Sequence, residues 1–105
     1  MGITDSYTVK VIESNGFCDF DVSDLQTGPG DEVTFINKTD KPISISFYKS
    51  DFFKVAFLNL LPGDQATVTM ASDCQDELCE CSLNCDTNVK IVFKTTMPRL
   101  VVHRK

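Results

Sequence analysis

Four cysteines crowd one polar stretch: Cys74, Cys79, Cys81 and Cys85 read C-x4-C-x-C-x3-C, and Cys18 stands apart from them. As thiolates, three or four such sulfurs converging on one point suit Cu(I) or Zn(II). The spacing is not the paired C-x2-C knuckle of zinc fingers, nor the C-x4-C-x2-C of plant-type iron–sulfur proteins. As disulfides, the same sulfurs staple a small domain, each bridge contributing about 2–4 kcal/mol. Asp73, Asp76, Glu77, Glu80 and Asp86 surround the cluster. Their charge raises thiol pKa values and opposes thiolates, which favours the disulfide reading. With 5 cysteines, at least one thiol stays unpaired in a monomer.

Other chemistry is scarce. A Ser-His-Asp or Cys-His device needs a positioned imidazole. The chain holds 1 histidine, His103, between Val102 and Arg104 in a basic tail, where a solvated role is expected. The chain is therefore read as not an enzyme. Asp19, Asp21, Asp24 and Asp31 offer hard oxygens of the kind calcium takes, but without EF-hand spacing. They are expected to form a charged edge that blocks association between sheets.

The elements that must position these residues are strands. Tyr7-Thr-Val-Lys-Val-Ile12 alternates with period two, with Tyr7, Val9 and Val11 on one face. Phe17 to Gln26 reads as a broken, edge-like strand. Thr27-Gly-Pro-Gly-Asp31 is turn chemistry, followed by the strand Glu32-Val-Thr-Phe-Ile-Asn37. Ile43-Ser-Ile-Ser-Phe47 and Ala66-Thr-Val-Thr-Met70 alternate cleanly. Asp51 to Leu61 fits neither period and is expected as a short helix or a bent strand, with Phe52, Phe53 and Phe57 covering the core. Val89 to Phe93 is expected as a strand. Leu100-Val101-Val102, after Pro98, is expected at most as one more edge strand in a tail spanning 95–105. Many short strands, Gly/Pro/Asp turns and no long helix indicate an all-β sandwich or barrel. The chain of 105 residues is expected to be a single domain, 1–105, with its core in 7–94.

Gly30-Asp31-Glu32-Val33-Thr34-Phe35-Ile36-Asn37, the loop to Pro42, Leu60-Leu61-Pro62-Gly63-Asp64 with Thr67-Val68-Thr69, and Val89 to Phe93 together resemble the cupredoxin family. The resemblance implies a Greek-key β-sandwich of about seven or eight strands, with a metal site at one pole. There a histidine follows the loop, and a cysteine, a second histidine and often a methionine precede the last strand. In this chain Ile43 follows Pro42 where the histidine is expected. Cys81 or Cys79 falls in the ligand-cysteine region, and Asn84 lies near the place of the second histidine. One histidine cannot supply two imidazoles, so the ordinary blue-copper site is not expected. The family topology further implies that Cys18, Cys81 and Cys85 lie near that pole and Cys74 at the turn before the penultimate strand.

The disulfide candidates are then Cys74 with Cys79, closing a hairpin, and Cys18 with Cys81 or Cys85, tying two strands where copper otherwise stands. A Cys79–Cys81 bond is geometrically poor, since the two share one face of a strand at the upper limit of bridgeable separation. The expected function is a non-catalytic module, structural or protein-binding, with no cofactor. The alternative is copper or zinc handling through Cys79, Cys81, Cys85 and Cys18, with copper electron transfer a distant third.

Net charge is −5, which disfavours nucleic acid as a partner. No apolar run approaches the ~18 residues of a membrane-spanning helix. A protein partner is open and unnamed. Met1-Gly2-Ile3-Thr4-Asp5-Ser6 has neither a basic stretch nor an apolar core. The cysteine content sets the expectation of a periplasmic or extracellular protein whose leader has been removed, with a cytoplasmic one as the alternative. The same residues fit the loose M-G-x-x-x-[ST] lipidation pattern, a short match of the kind chance supplies.

Overall fold

The computed structural model describes residues 4–14, 16–85 and 98–105. Nine strands and one short helix occupy them: β1 (Ser6–Ser14), β2 (Phe17–Phe20), β3 (Asp24–Thr27), β4 (Glu32–Asn37), β5 (Ile43–Phe47), α1 (Ser50–Phe53), β6 (Phe57–Leu60), β7 (Gln65–Thr69), β8 (Leu78–Cys85) and β9 (Arg99–Arg104). Two mixed sheets face each other. One runs β2-β1-β4-β7, the other β3-β9-β8-β5-β6. β1 pairs parallel with β4 and β3 parallel with β9; the remaining neighbours are antiparallel.

Alternation does the sorting. Val9 and Val11 on β1, Val33 and Phe35 on β4, Ile43, Ile45 and Phe47 on β5, and Cys79, Cys81 and Leu83 on β8 all point between the sheets and are buried. Phe20, Phe35, Phe47 and Phe53 form a chain of edge-on rings with centroids 5.7–6.5 Å apart, each pair contributing about 0.5–1.5 kcal/mol beyond its buried area. Phe52 and Phe53 of α1 close one end of the core, as expected. Phe57 does not: it lies on β6 and is mostly exposed.

Three expectations are refined or corrected. The broken, edge-like strand over 17–26 is two strands, each at the edge of a different sheet, which brings the strands among the described residues to nine. The chain crosses between them at Asp21, whose N–H donates to the Lys10 carbonyl and whose carboxylate accepts the Lys10 N–H. Secondly, the basic tail is neither frayed nor an edge: β9 lies inside its sheet, between β3 and β8. Its buried Leu100 and Val102 complete the core, and its basic side chains meet acids, Arg99 with Glu80 and Arg104 with Glu77. Thirdly, Asp31 is buried and not part of a solvated charged edge. Its carboxylate accepts N–H groups from Asp5 at 2.9 Å and Gly28 at 2.7 Å, with the Lys105 ammonium 3.8 Å away. Gly30, at φ +87°, makes that turn, and a Cβ there would sit 3.0 Å from the Thr4 methyl. The expected strand Val89 to Phe93 lies outside the described residues.

Candidate functional site: the disulfide pole

The pole of interest is the end of the sandwich where β5 begins and β8 finishes. Antiparallel pairing sets Ile43 directly opposite Cys85. Cys85 is bonded to Cys18 of β2, so the disulfide joins the two sheets across a separation of 67 residues. Both cysteines are buried.

Asn37, fully buried at the end of β4, holds the neighbouring loop. Its side-chain NH2 donates to the carbonyls of Lys41 at 2.8 Å and Leu60 at 3.1 Å. Its side-chain oxygen accepts from the Thr39 N–H at 2.9 Å and the Thr39 hydroxyl at 2.7 Å. This amide satisfies four partners and sets Pro42 and Ile43 at the start of β5. Its role was not legible in the sequence, where Asn37 is only the last residue of a strand.

On the outer face, Asn59, Ser44 and Asn84 stand in one row across β6, β5 and β8. They floor a cleft of about 270 Å³, with Pro42 and Leu61 at its sides. Among the described residues it presents amides, a hydroxyl and apolar walls, and no charge.

The other cysteines lie elsewhere. Cys79 and Cys81 pair with Val102 and Leu100 of β9 and face the core, with Glu80 turned outward as alternation requires. Cys81 is four residues from Cys85, roughly 13 Å along a strand. Neither Cys79 nor Cys81 therefore occupies the position opposite Ile43; Cys85 does. The expected convergence of three or four sulfurs at one pole does not occur. Cys74, Cys79 and Cys81 are free thiols, so the Cys74–Cys79 bridge is not formed. Cys74 instead exchanges hydrogen bonds with Asp76.

Cys79 and Cys81 interact with each other. A hydrogen bond from Cys81 lowers the Cys79 thiol, against burial, and the backbone at Lys49 and Tyr48 lowers it further. The same contact, with burial, drives the Cys81 thiol far up. The contact thus pushes the two thiols in opposite directions, Cys79 down and Cys81 up.

His103 pairs with Leu78, at the opposite end of β8 from Cys85. Its Nε2 is 3.1 Å from an Asp24 carboxylate oxygen, so the partly exposed ring is paired with the neighbouring strand β3. Asp19 and Asp21 accept backbone N–H groups from Phe20 and Lys10, and the four aspartates share no common centre. Among the described residues, no group of three or more His, Cys, Asp and Glu side chains is placed to hold a metal ion. Among the described residues no helix is long and apolar enough to cross a membrane.

The donor set does not fit a type 1 copper ion. Ile43, where the resemblance led to the expectation of a histidine, is aliphatic, the sulfur opposite it is already bonded to Cys18, and the single imidazole is at the far end of the sheet.

No family profile matches the sequence, and no curated protein matches it. Solved structures do. A methionine-to-alanine variant of amicyanin in its Cu(I) form superposes with a TM-score of 0.63 at 16% identity, covering 95% of this chain and 82% of that one. A purple cupredoxin from Nitrosopumilus maritimus gives 0.63 at 12% identity, covering 93% of this chain and 98% of that one. An oxidised methionine-to-lysine variant of amicyanin gives 0.61 at 16% identity. The agreement extends over nearly the whole chain at identities too low to carry more than architecture. The chain is cupredoxin-like in fold, with isoleucine and a cystine standing at the pole.

Proposed function

We propose that this chain is a non-catalytic cupredoxin-like module that binds a protein partner in an oxidising compartment, periplasmic or extracellular, and does not carry electrons on copper. The observation that carries the reading is the Cys18–Cys85 bond, which takes the one sulfur opposite Ile43 out of ligand chemistry. A buried cross-sheet disulfide is also what a small exported domain uses for stability. The uncharged cleft over Asn59, Ser44 and Asn84, with Leu61 61% exposed beside it, supports a binding role at this pole.

Copper addition to the oxidised protein tests the reading. Expected are no intense thiolate-to-copper band in the visible and no stoichiometric metal after desalting; either one overturns it. Unfolded, never-reduced protein should expose three thiols and weigh two hydrogens less than the reduced chain. Five reactive thiols would remove the supporting observation. Ser44→Arg places a charge in the cleft without touching the core. It should abolish partner capture while leaving the fold intact, and undiminished capture counts against this pole.

One observation favours a second reading, thiolate metal binding: the contact between Cys79 and Cys81. Two sulfurs match a linear Cu(I) and fall short of the four ligands of a closed zinc site. On this reading the reduced protein retains one Cu(I) against a competing chelator, and Cys79→Ser loses it.

A further inference from the structure

β6 is the outer strand of the five-stranded sheet, and among the described residues nothing pairs with its outer edge. The hydrogen-bond phase of the β5–β6 ladder is fixed by the Phe47 N–H, which donates to the Ala56 carbonyl at 2.8 Å. Continuing the register through Ile45↔Leu58 and Ile43↔Leu60, the main-chain groups of Ala56, Leu58 and Leu60 face β5. Those of Phe57 and Asn59 therefore point outward. The run ends at Leu61, whose N–H and carbonyl are both closed on Asp64.

Such an edge is ordinarily blunted by charge, proline or a bulge. The other three edge strands carry polar guards: Asp19 on β2, Asp24 on β3, and Gln65, Thr67 and Thr69 on β7, which Asp64 precedes. From Val55 to Leu61 there is no charged residue. The three most exposed large apolar side chains among the described residues gather here: Tyr48 at 64%, Leu61 at 61% and Phe57 at 57%.

We infer that a second copy of this chain pairs antiparallel with β6 across a two-fold axis at Leu58, joining two five-stranded sheets edge to edge. Open donors and acceptors demand an extended strand, and this register uses all of them. Phe57 of each copy stands opposite Asn59 of the other, and the two pairs exchange four N–H to carbonyl bonds. Leu58, only partly buried in the monomer, meets its own mate on the core-facing side. Net charge of −5 makes two copies repel over most of their surface, and this seam is a stretch where no acid meets an acid. The seam borders the cleft at the disulfide pole and shares Asn59 and Leu61 with it; Ser44→Arg, which leaves β6 unaltered, separates the two roles.

The test is sedimentation equilibrium over a dilution series, with amide exchange followed residue by residue. The expected result is a monomer–dimer equilibrium reaching twice 11.7 kDa, with protection of the Phe57 and Asn59 amides rising with concentration. Asn59→Pro removes an outward donor that β5 does not use, and Phe57→Lys brings cations together across the axis. Each should weaken association on the order of tenfold or more, while Thr67→Lys on β7 changes nothing. Circular dichroism confirms that each variant folds, and Phe57→Lys, on an exposed side chain, serves where the proline variant does not. A monomer mass at every concentration, or a dimer indifferent to both β6 variants, overturns the inference.

Discussion

Cutting the Cys18–Cys85 bond is the perturbation with the largest consequence. The bridge closes a span of 67 residues. The chain-entropy relation gives about 15 cal/mol/K for a loop of that length, or about 4 kcal/mol at 25 °C. A domain of this kind has roughly 5–15 kcal/mol in total, so the bridge supplies a quarter or more of it. In Cys18→Ala/Cys85→Ala, the thermal midpoint should fall by roughly 20 °C, and the urea midpoint by about 2 M. The urea slope should also rise, because an uncrosslinked unfolded chain exposes more surface. Reductant supplies the control. It should carry the wild-type midpoint to near that of the double variant and leave the variant where it is. A wild-type midpoint that stays put when all five thiols are shown to be reduced would falsify the reasoning, since the stabilisation would then not reside in the crosslink.

Further expectations concern single side chains. Asn37→Ala strands the Thr39 N–H and takes one donor from the carbonyls of Lys41, which keeps the Thr39 hydroxyl at 3.0 Å, and Leu60; it should cost about 2 kcal/mol by urea denaturation, and a loss below about 1 kcal/mol means that water replaces the amide. Burial alone would raise the Asp31 carboxyl, but the Asp5 and Gly28 N–H groups and the Lys105 ammonium outweigh it, and the group titrates below its ordinary value. Its contribution is therefore complete above the unfolded pKa of about 3.9 and fades as pH falls through the lower folded value. Asp31→Asn should flatten that acid limb of stability measured against pH, and an unchanged limb places the titration elsewhere. Native Cys79 and Cys81, both fully buried, should alkylate at a rate set by opening of the fold, so that mild denaturant accelerates labelling; fast labelling in buffer alone would show the pair to be accessible.

Much of the scaffold was legible, for a definite reason. β4 and β5 carry strict alternation, and one face of each is buried, so periodicity alone gave their bounds. The same rule placed Cys79 and Cys81 together and Glu80 outside. The site was less legible because register between strands leaves little trace along one strand. Opposite Ile43, Cys81 and Cys85 are equivalent by parity, and only the ladder chooses Cys85. β9 was undervalued because Pro98 and flanking basic residues make it look like an end, although Leu100 and Val102 alternate as a buried strand must. The signal lay in charge: Glu77 and Glu80 meet Arg104 and Arg99 across the sheet. Phe57 is a near neighbour of Phe52 and Phe53 in sequence, and nothing in the local pattern separates it from them. The left-handed residue Lys54, at φ 58°, ends α1 and redirects the chain before Phe57.

The insertion of β9 between β3 and β8 dictates an order of events during synthesis. Among the described residues β9 is the one strand that pairs with β3, with Asp24 lying against Val101. Until β9 has been made, β3 lacks the strand that pairs with it among the described residues, and the side of β8 that β9 covers stays open. The nascent polypeptide is thus obliged to present two unzipped margins to its surroundings while everything from β3 to β9 is made. Those margins are where a holding chaperone or an export machine would find its grip.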